Sequence, residues 1–319
     1  MRNNCHRVGI AASFRLFYFR PMHFGRVEHI EGIDLRFPPD SPRTEKFLDL
    51  LGENRTEVYI GCPIWASQKW VGNLYPRGTK STAFLKTYSR FFRTVEVNST
   101  FYQLLDRKRI ELWRDETPPG FKFCPKVFRG ITEDPGSPQI DSLIAKFCVA
   151  ISGFGDRLGL PFAQFPETFG PSQIGLLRRF LSSWPSALPL AVELRHPDWF
   201  QNHALLDEAV NLFYRHRAAT VITDTLGRRD VLHLSLTQPK VLIRFQGNRL
   251  APQDAQRLSD WAQRIAKWRS RGLEEIYFFT HQPEDGTITQ TGFLALEKVL
   301  GQPAPDLSPP TQQLELGGF

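Results

Sequence analysis

The chain alternates short strand patterns with helical patterns from residue 57 onward, and this alternation limits the folds it can adopt. Eight apolar runs are strand candidates, at 57–62, 93–98, 121–126, 159–165, 189–195, 219–224, 240–245 and 275–281. Helical periodicity marks most of the intervening stretches, at 82–92, 106–117, 138–152, 171–183, 202–217, 252–271 and 288–300. Strands separated by helices pair in parallel. Eight such units suit a TIM-type (β/α)₈ barrel, an α/β fold of roughly 250 residues, so we predict one barrel domain over residues 57–302.

One connection departs from this pattern. Residues 225–239, LGRRDVLHLSLTQPK, leave too little chain for a loop, a regular helix and a second loop between strands six and seven. We therefore predict a degenerate crossover at this place. A doubly wound open sheet is the alternative fold, but no G-x-G-x-x-G sequence follows the first strand, as a dinucleotide-binding sheet would require.

The two ends of the chain lie outside the alternation. Residues 1–56 are predicted to be a partly irregular N-terminal extension, with one short helix over 43–51 after three prolines. The first 27 residues hold five arginines and no acidic residue, a composition typical of transit peptides; the alternative is a true start at Met22. Residues 303–319 are predicted to be a flexible tail.

The composition is that of a globular protein with a basic surface. Hydrophobic residues make up 41% of the chain, and no run reaches the ~18 apolar residues of a membrane span, so no membrane partner is expected. The four cysteines form no C-x-x-C pair, which indicates reduced thiols in a cytoplasmic protein. The formal net charge of +7 favours an anionic partner, either a small anionic ligand or a nucleic acid.

Polar side chains stand at the carboxyl ends of the predicted strands, where the sites of TIM barrels lie. In PLAVELRHPDW, residues 189–199, the two-residue strand period puts Glu193 and Arg195 on one face. Opposite charges on an apolar strand are costly to bury unless they are paired or functional. The other strands end in Glu96, Asn98, Lys126, Gln164, Asp224, Arg244, Gln246 and His281, and His196 follows strand five.

These residue types suit a pocket for a small anion. Arginine and lysine bind carboxylate or phosphate, and a carboxylate with a shifted pKa can move a proton. We predict that Glu193 is the acid/base, with Glu96 and Asp224 as further catalytic carboxylates. The predicted substrate-binding residues are Asn98, Lys126, Gln164, Arg195, His196, Arg244 and His281. Because the formal charges cancel, the alternative is a structural network of ion pairs that fills the barrel.

No cofactor is predicted. The sequence has no Walker loop, no G-x-S-x-G motif and no nucleotide fingerprint. A divalent metal ion bound by Glu96, Glu193, Asp224 and His281 is the weaker alternative. The arginines that end two of the strands argue against a metal, since they would compete for the same carboxylates.

Eight stretches, in chain order, carry a family resemblance. They are YIGCPIW (59–65), VEVNSTFY (95–102), FKFCPKV (121–127), LGLPFAQFPETFGP (158–171), VELRHPDWF (192–200), VITD (221–224), LIRFQGN (242–248) and YFFTHQP (277–283). In these blocks the chain resembles the YecE-like proteins, the family called domain of unknown function 72, and its YecE branch in particular. Much of the family has R-x-H-G after strand seven and asparagines after strand eight, where this chain has Arg244-Phe245-Gln246-Gly247 and Thr280-His281-Gln282. The resemblance implies a TIM barrel and supplies no activity.

Three functions stay open at this point. The first is an enzyme that acts on a small anionic metabolite by proton transfer or hydrolysis. The second is a protein acting on nucleic acid, such as a phosphodiesterase, which the basic residues of the 252–271 helix favour: Arg257, Arg264, Lys267 and Arg271. The third is a barrel that binds its ligand without catalysis.

The tail suggests one protein partner. Gln313-Leu314-Glu315-Leu316, followed by Phe319, resembles the short peptides that dock on the bacterial sliding clamp. Two glycines separate Leu316 from Phe319 and shift that aromatic anchor out of its usual step. Clamp binding through residues 313–319 is therefore a hypothesis, and an incidental run of leucines in a flexible tail is the alternative.

Overall fold

Eight parallel strands form one sheet. The computed structural model describes residues 24–25, 27–29, 31–248 and 252–281. The strands are β1 (Glu57–Cys62), β2 (Thr94–Val97), β3 (Lys122–Pro125), β4 (Phe162–Gln164), β5 (Ala191–Glu193), β6 (Ala219–Asp224), β7 (Lys240–Gln246) and β8 (Glu275–His281). Each overlaps a predicted strand, so the strand prediction is confirmed. Their order in the sheet is β3-β2-β1-β8-β7-β6-β5-β4.

Helices fill most of the connections. They are α1 (Pro42–Asp49), α2 (Phe84–Phe91), α3 (Ser99–Tyr102), α4 (Arg107–Asp115), α5 (Arg129–Thr132), α6 (Ile140–Ile151), α7 (Ile174–Ser183), α8 (Asp198–Gln201), α9 (His203–Arg215) and α10 (Pro252–Ser270). The predicted helix over 288–300 and the predicted tail over 303–319 lie outside the described residues. None of the helices in the described residues is long and apolar enough to cross a bilayer.

The two edge strands of the sheet, β3 and β4, meet and close the barrel. Bridges pair Phe123 with Leu158 and Lys126 with Phe162. The amide of Val127 donates to the Phe162 carbonyl at 2.8 Å. The sheet is therefore a nearly closed TIM-type barrel, as the sequence predicts.

Side chains fill the interior of the barrel. The interior apolar cluster comprises Tyr59, Cys124, Leu160, Phe162, Ala191, Ala219, Val221, Leu242, Tyr277 and Phe279. Along β7, Leu242 belongs to this cluster while Ile243 packs in the outer core with the helices, as the strand alternation requires. Arg244 is the next inward residue toward the carboxyl end, so charged side chains lie directly above the apolar filling.

A helix of the N-terminal extension packs onto the connection that lacks one. Between β6 and β7 the described chain forms only a 3-10 turn, at Arg229–Val231, so the predicted degenerate crossover is confirmed. α1 lies on this connection. Thr44 Oγ1 donates to the Leu234 carbonyl and accepts from the Leu236 amide, both at 3.1 Å.

α1 and the residue just before its cap contact helices on both sides. Arg43 lies over the ring of Tyr214 in α9, with its guanidinium carbon 5.8 Å from the ring centre. Asp40 accepts hydrogen bonds from Arg264 and Lys267 of α10, at 2.5 and 2.8 Å. α1 thus stands between α9 and α10, where the helix between strands six and seven of a regular barrel would pack.

The long helix α10 is amphipathic, and its basic side faces protein. The residues of its apolar side are buried: Leu258, Trp261, Ile265 and Trp268. On the basic side, Lys267 and Arg271 both pair with Glu45 of α1, at 2.6 and 3.0 Å, and Arg257 is fully buried. These cations are neutralised within the chain, which removes one argument for a nucleic-acid partner.

Candidate functional site

Arg244 links two carboxylates at the carboxyl end of the barrel. Its Nε and Nη2 donate to the two oxygens of Glu96 at 3.0 and 2.9 Å, and its Nη1 donates to Glu193 Oε2 at 2.9 Å. None of the three side chains is exposed by more than 2%. β7, β2 and β5 each contribute one of these residues, so the barrel brings together charges that are distant in the chain.

Four side chains among the described residues donate hydrogen bonds to Glu193. Gln164 Nε2 and Arg195 Nε each donate at 2.7 Å, Thr223 Oγ1 at 3.0 Å and Arg244 Nη1 at 2.9 Å. Burial by itself would raise the pKa of Glu193, but the two arginines outweigh it and hold the pKa at about 2. Glu193 is therefore ionised at neutral pH.

Glu96 has a comparable set of donors. Asn98 Nδ2 donates to Glu96 Oε1 at 2.9 Å, and His281 Nε2 contacts Glu96 Oε2 at 2.9 Å. Burial opposes ionisation, yet Arg244 and His281 hold the pKa of Glu96 well below its usual range. Since that carboxylate can only accept, His281 Nε2 is the donor. Burial lowers the pKa of His281, so its imidazole is neutral at pH 7.

Lys126 is the cation of this cluster with the fewest contacts. Its Nζ donates to Gln164 Oε1 at 2.8 Å and lies 4.0 Å from the centre of the Phe101 ring. Within the described part of the chain, no carboxylate lies in ion-pairing distance of it. Burial, with the nearby positive charges of Arg244 and Arg195, lowers the pKa of Lys126 to about 7.

We call the charged and amide residues at the barrel mouth the mouth cluster; its members are Glu96, Lys126, Gln164, Glu193, Arg195 and Arg244. Their exposure to solvent differs. Glu96 and Arg244 are 0% exposed, whereas Lys126 is 6% and Arg195 is 8% exposed. Gln164 is also 8% exposed. The two carboxylates and Arg244 thus form the floor of the cluster, whereas Lys126, Arg195 and Gln164 retain a small exposure to solvent.

One predicted site residue lies elsewhere, and a second makes a local contact in the loop after β5. Asp224 was predicted to share the inward face, and this placement is wrong: Arg257 Nη2 and Trp261 Nε1 of α10 donate to its carboxylate at 2.9 and 2.8 Å. Successive strand residues point to opposite faces, so Thr223 takes the inward position on β6. His196 Nδ1 accepts from the Asp198 amide at 3.1 Å in the loop after β5.

The structure adds a residue that the sequence argument left out. Phe24 is buried, and its ring lies over the guanidinium of Arg195, 4.1 Å from ring centre to Cζ. The neighbouring Gly25 carbonyl accepts from Thr225 Oγ1 at 2.7 Å and from the Gly227 amide at 2.8 Å. No sequence pattern indicates this contact, because about 170 residues separate Phe24 from Arg195 and only the fold brings them together.

Gln246 lies at the end of β7, two residues after Arg244 and on the same face. Its side chain is buried, and neither of its amide atoms has a hydrogen-bond partner among the described residues. A buried amide without partners carries a free-energy penalty of about 1–3 kcal/mol. Polar atoms of a bound molecule would remove that penalty.

The cluster does not resemble a metal centre. Arginine, amide and imidazole donors occupy both oxygens of Glu96 and of Glu193. Within the described ranges there is no group of three or more His, Cys, Asp or Glu residues arranged to hold a metal ion. The divalent-ion alternative also required Asp224, which faces α10.

The chain is similar to proteins whose names assign no activity. It is 29% identical over 245 residues to the UPF0759 protein YecE of Escherichia coli K12, an alignment that covers 71% of this chain and 87% of that protein. It is 29% identical over 150 residues to the UPF0759 protein YunF of Bacillus subtilis 168, covering 45% of this chain and 52% of that one.

Solved structures share the fold. A DUF72 family protein from Enterococcus faecalis V583, with a crystal structure at 2.52 Å, is 20% identical with a TM-score of 0.61 and covers 79% of this chain. A second crystal structure of that protein, at 3.10 Å, gives a TM-score of 0.64.

The sequence model of the family described as "Protein of unknown function DUF72" matches residues 59–314. Because that match spans most of the chain, the chain belongs to the DUF72 family.

Proposed function

We propose that the barrel mouth binds a small anionic metabolite and that Lys126 exchanges a proton with it. The arrangement of charge by depth supports this proposal: ionised carboxylates lie on the floor, and the solvent-facing side presents Lys126, Arg195 and amides. Cations facing the opening of a low-dielectric cleft attract anions. The alternative of a purely structural ion-pair network explains the floor but does not explain a buried lysine without a carboxylate partner.

The proton-transfer role moves from Glu193 to Lys126. A general acid or base works best when its pKa lies near the operating pH. The pKa of Glu193 is about 2, and its four hydrogen bonds favour a positioning role for Arg195, Gln164 and Arg244. The pKa of Lys126 is about 7, so its amine gains and loses a proton in the physiological range.

The ligand would complete two incomplete sets of hydrogen bonds. The described residues supply one acceptor to the three N–H groups of Lys126. Gln246 has a buried amide with no partner among them. An anion of a few heavy atoms that carries both acceptors and a donor would satisfy both residues. Either proton transfer or hydrolysis fits this arrangement, and binding without turnover is the non-catalytic outcome.

Titration calorimetry with lactate and with inorganic phosphate tests the binding step. We expect saturable binding that tightens as the pH falls through about 7, where Lys126 becomes charged. Arg195→Gln should weaken it at least ~10-fold, the equivalent of about 1.4 kcal/mol. Arg179→Gln is the matched control, because Arg179 forms an exposed pair with Asp141 at 3.2 Å. Absence of binding, or an equal loss in both variants, would contradict the proposal.

A further inference from the structure

We propose that Lys126 is a nucleophile that forms an imine with the carbonyl carbon of a small α-keto acid bound at the barrel mouth. The inference rests on the proposed function and names the class of anion that the same site would take. An α-keto acid places an anionic carboxylate next to an electrophilic carbonyl. The site offers both complementary groups, the amine of Lys126 and the guanidinium of Arg195, linked through Gln164 and Glu193.

A chain of hydrogen bonds connects the amine of Lys126 with the guanidinium of Arg195. Lys126 Nζ donates to Gln164 Oε1 at 2.8 Å, and Gln164 Nε2 donates to Glu193 Oε2 at 2.7 Å. Arg195 Nε donates to the other oxygen of Glu193 at 2.7 Å. Two intervening side chains, Gln164 and Glu193, thus connect the amine with the guanidinium. A ligand whose carboxylate faces Arg195 would direct its adjacent carbonyl towards Lys126.

The surroundings of Lys126 favour an uncharged, nucleophilic amine. A lysine is almost never fully buried unless it is paired, yet the described part of the chain offers Lys126 only an amide oxygen and an aromatic ring. Arg244 and Arg195 add positive charge nearby. Desolvation and a neighbouring cation are the two conditions that activate lysine for imine formation. With a pKa of about 7, roughly half of the Lys126 amines carry a free lone pair at neutral pH.

Other lysines of the described chain have ordinary surroundings. Lys122 lies at the opposite end of the same strand, and its Nζ donates to the Asp156 carbonyl at 2.8 Å in an exposed contact. Lys240 pairs with Glu275 at 3.1 Å. Lys122 is therefore a matched control for Lys126, since both belong to the segment around β3 and only one reaches the mouth.

The reaction balances without an added oxidant or reductant. The Nζ lone pair attacks the carbonyl carbon, a C–N bond forms and the carbonyl π electrons move to oxygen. Water takes a proton from nitrogen and returns one to that oxygen, which yields a carbinolamine. Water then protonates the hydroxyl, the nitrogen lone pair forms the C=N bond as the C–O bond breaks, and the hydroxyl leaves as water. The resulting iminium nitrogen returns its proton to solvent, which gives the imine with no net change in protons. In this proposal Gln246, whose buried amide has no partner among the described residues, orients the oxygen.

Reductive trapping tests the inference on the full-length protein. Wild-type protein is incubated with pyruvate or glyoxylate and sodium cyanoborohydride, whose hydride reduces the imine carbon to a stable amine. Peptide mass mapping then locates the adduct, which has the mass of the keto acid minus one oxygen atom. We expect Lys126 to be labelled at least ~10-fold faster than the other described lysines, because among them its amine alone is buried, with Arg195 and Arg244 nearby. Labelling spread over surface lysines, or its absence from Lys126, would overturn the proposal.

Two variants separate site labelling from general reactivity. Lys126→Arg should lose the fast adduct, and Lys122→Arg should keep it at the wild-type rate. Retention of fast labelling in Lys126→Arg contradicts the assignment. Should Lys126→Arg fail to fold, peptide mapping of the wild-type protein still decides, because it names the modified residue directly.

Lactate distinguishes failure of this inference from failure of the proposed function. It has the carboxylate of pyruvate and lacks the carbonyl, so it can bind as an anion but cannot form an imine. Saturable lactate binding with no pyruvate or glyoxylate adduct overturns the imine and leaves the anion site standing. Failure of all three compounds to bind or react overturns both. Protection of Lys126 from labelling by excess lactate supports both.

Discussion

Arg244 on β7 makes a two-pronged contact with Glu96 on β2, across the two strands that separate them in the sheet. Both side chains are fully buried. Arg244 also donates to Glu193 on β5, so one guanidinium on β7 links carboxylates from two other strands. The barrel mouth therefore depends on this arginine for its electrostatic balance.

Replacing Arg244 by methionine should destabilise the protein by about 3–5 kcal/mol, because it leaves two buried carboxylates without their shared partner. Urea unfolding monitored by fluorescence measures the change. Arg179→Met, which removes an exposed ion pair, should change the free energy of unfolding by less than about 1 kcal/mol. Similar small effects in both variants would show that the mouth charges are solvated rather than buried.

Glu193 should contribute to the acid sensitivity of the fold. Its pKa is about 2 in the folded protein and near its ordinary value of 4.5 in the unfolded chain. A lowered pKa adds stability that is fully present above pH 4.5 and is lost as the pH falls towards about 2. The contribution amounts to about 3 kcal/mol.

Glu193→Gln tests this contribution by chemical unfolding across the acid range. The variant should be less stable than wild type at neutral pH, since it leaves Arg195 and Arg244 with fewer anionic partners. The difference should shrink as the pH falls towards about 2. A difference that stays constant with pH would show that Glu193 has an ordinary pKa.

Lys126 should have the opposite effect on stability. Its pKa falls from 10.5 to about 7 on folding, so the folded state binds fewer protons than the unfolded chain between these values. The contribution of Lys126 to the free energy of unfolding is therefore most favourable above pH 10.5 and becomes less favourable as the pH falls towards 7. Lys126→Met should gain stability relative to wild type by a few kcal/mol over that interval. Parallel pH profiles of wild type and variant in urea unfolding would contradict the buried position of the amine.

Part of this site could be predicted from the sequence. The two-residue strand period and the barrel fold place Glu96, Glu193 and Arg244 at one end, because their strands end in charge. Asp224 was misplaced because it follows the inward residue Thr223 by one position, and a shift of one residue reverses the face. The sequence of an apolar run does not show which of two neighbouring residues points into the barrel.

The roles of the residues were harder to predict than their positions. A pKa depends on burial and on neighbours from other strands, which the sequence does not order in space. In our proposal the proton-transfer role therefore passes from Glu193 to Lys126 once their surroundings are taken into account. The packing of α1 was also hidden, since no local pattern indicates that an N-terminal helix occupies the place of a missing crossover helix.

Gly25 should control how residues 24–25 dock over Arg195. Its φ of +67° suits glycine, and an added Cβ would lie 2.4 Å from Thr225 Cγ2. Gly25→Ala should detach Phe24 from Arg195 and raise hydrogen exchange in the loop around Gly227. Gly32→Ala is the control, because Gly32 has a φ of +82° but nothing within 4 Å of the added Cβ. Equal exchange in both variants would show that the contact is not held by this close approach.

Asp40 should be essential for α1 to serve as the missing helix of the barrel. Its carboxylate is fully buried and accepts from Arg264 at 2.5 Å, Lys267 at 2.8 Å and Trp268 Nε1 at 3.2 Å. Asp40→Asn keeps the shape but removes the charge that balances two cations, so we expect a loss of about 3 kcal/mol in the free energy of unfolding. Asp34→Asn, which breaks an exposed pair with Arg36, should change it by less than about 1 kcal/mol. Denaturant titration of both variants measures the contrast. If Asp40→Asn proves as mild as Asp34→Asn, the charge of Asp40 is not what holds α1 against α10.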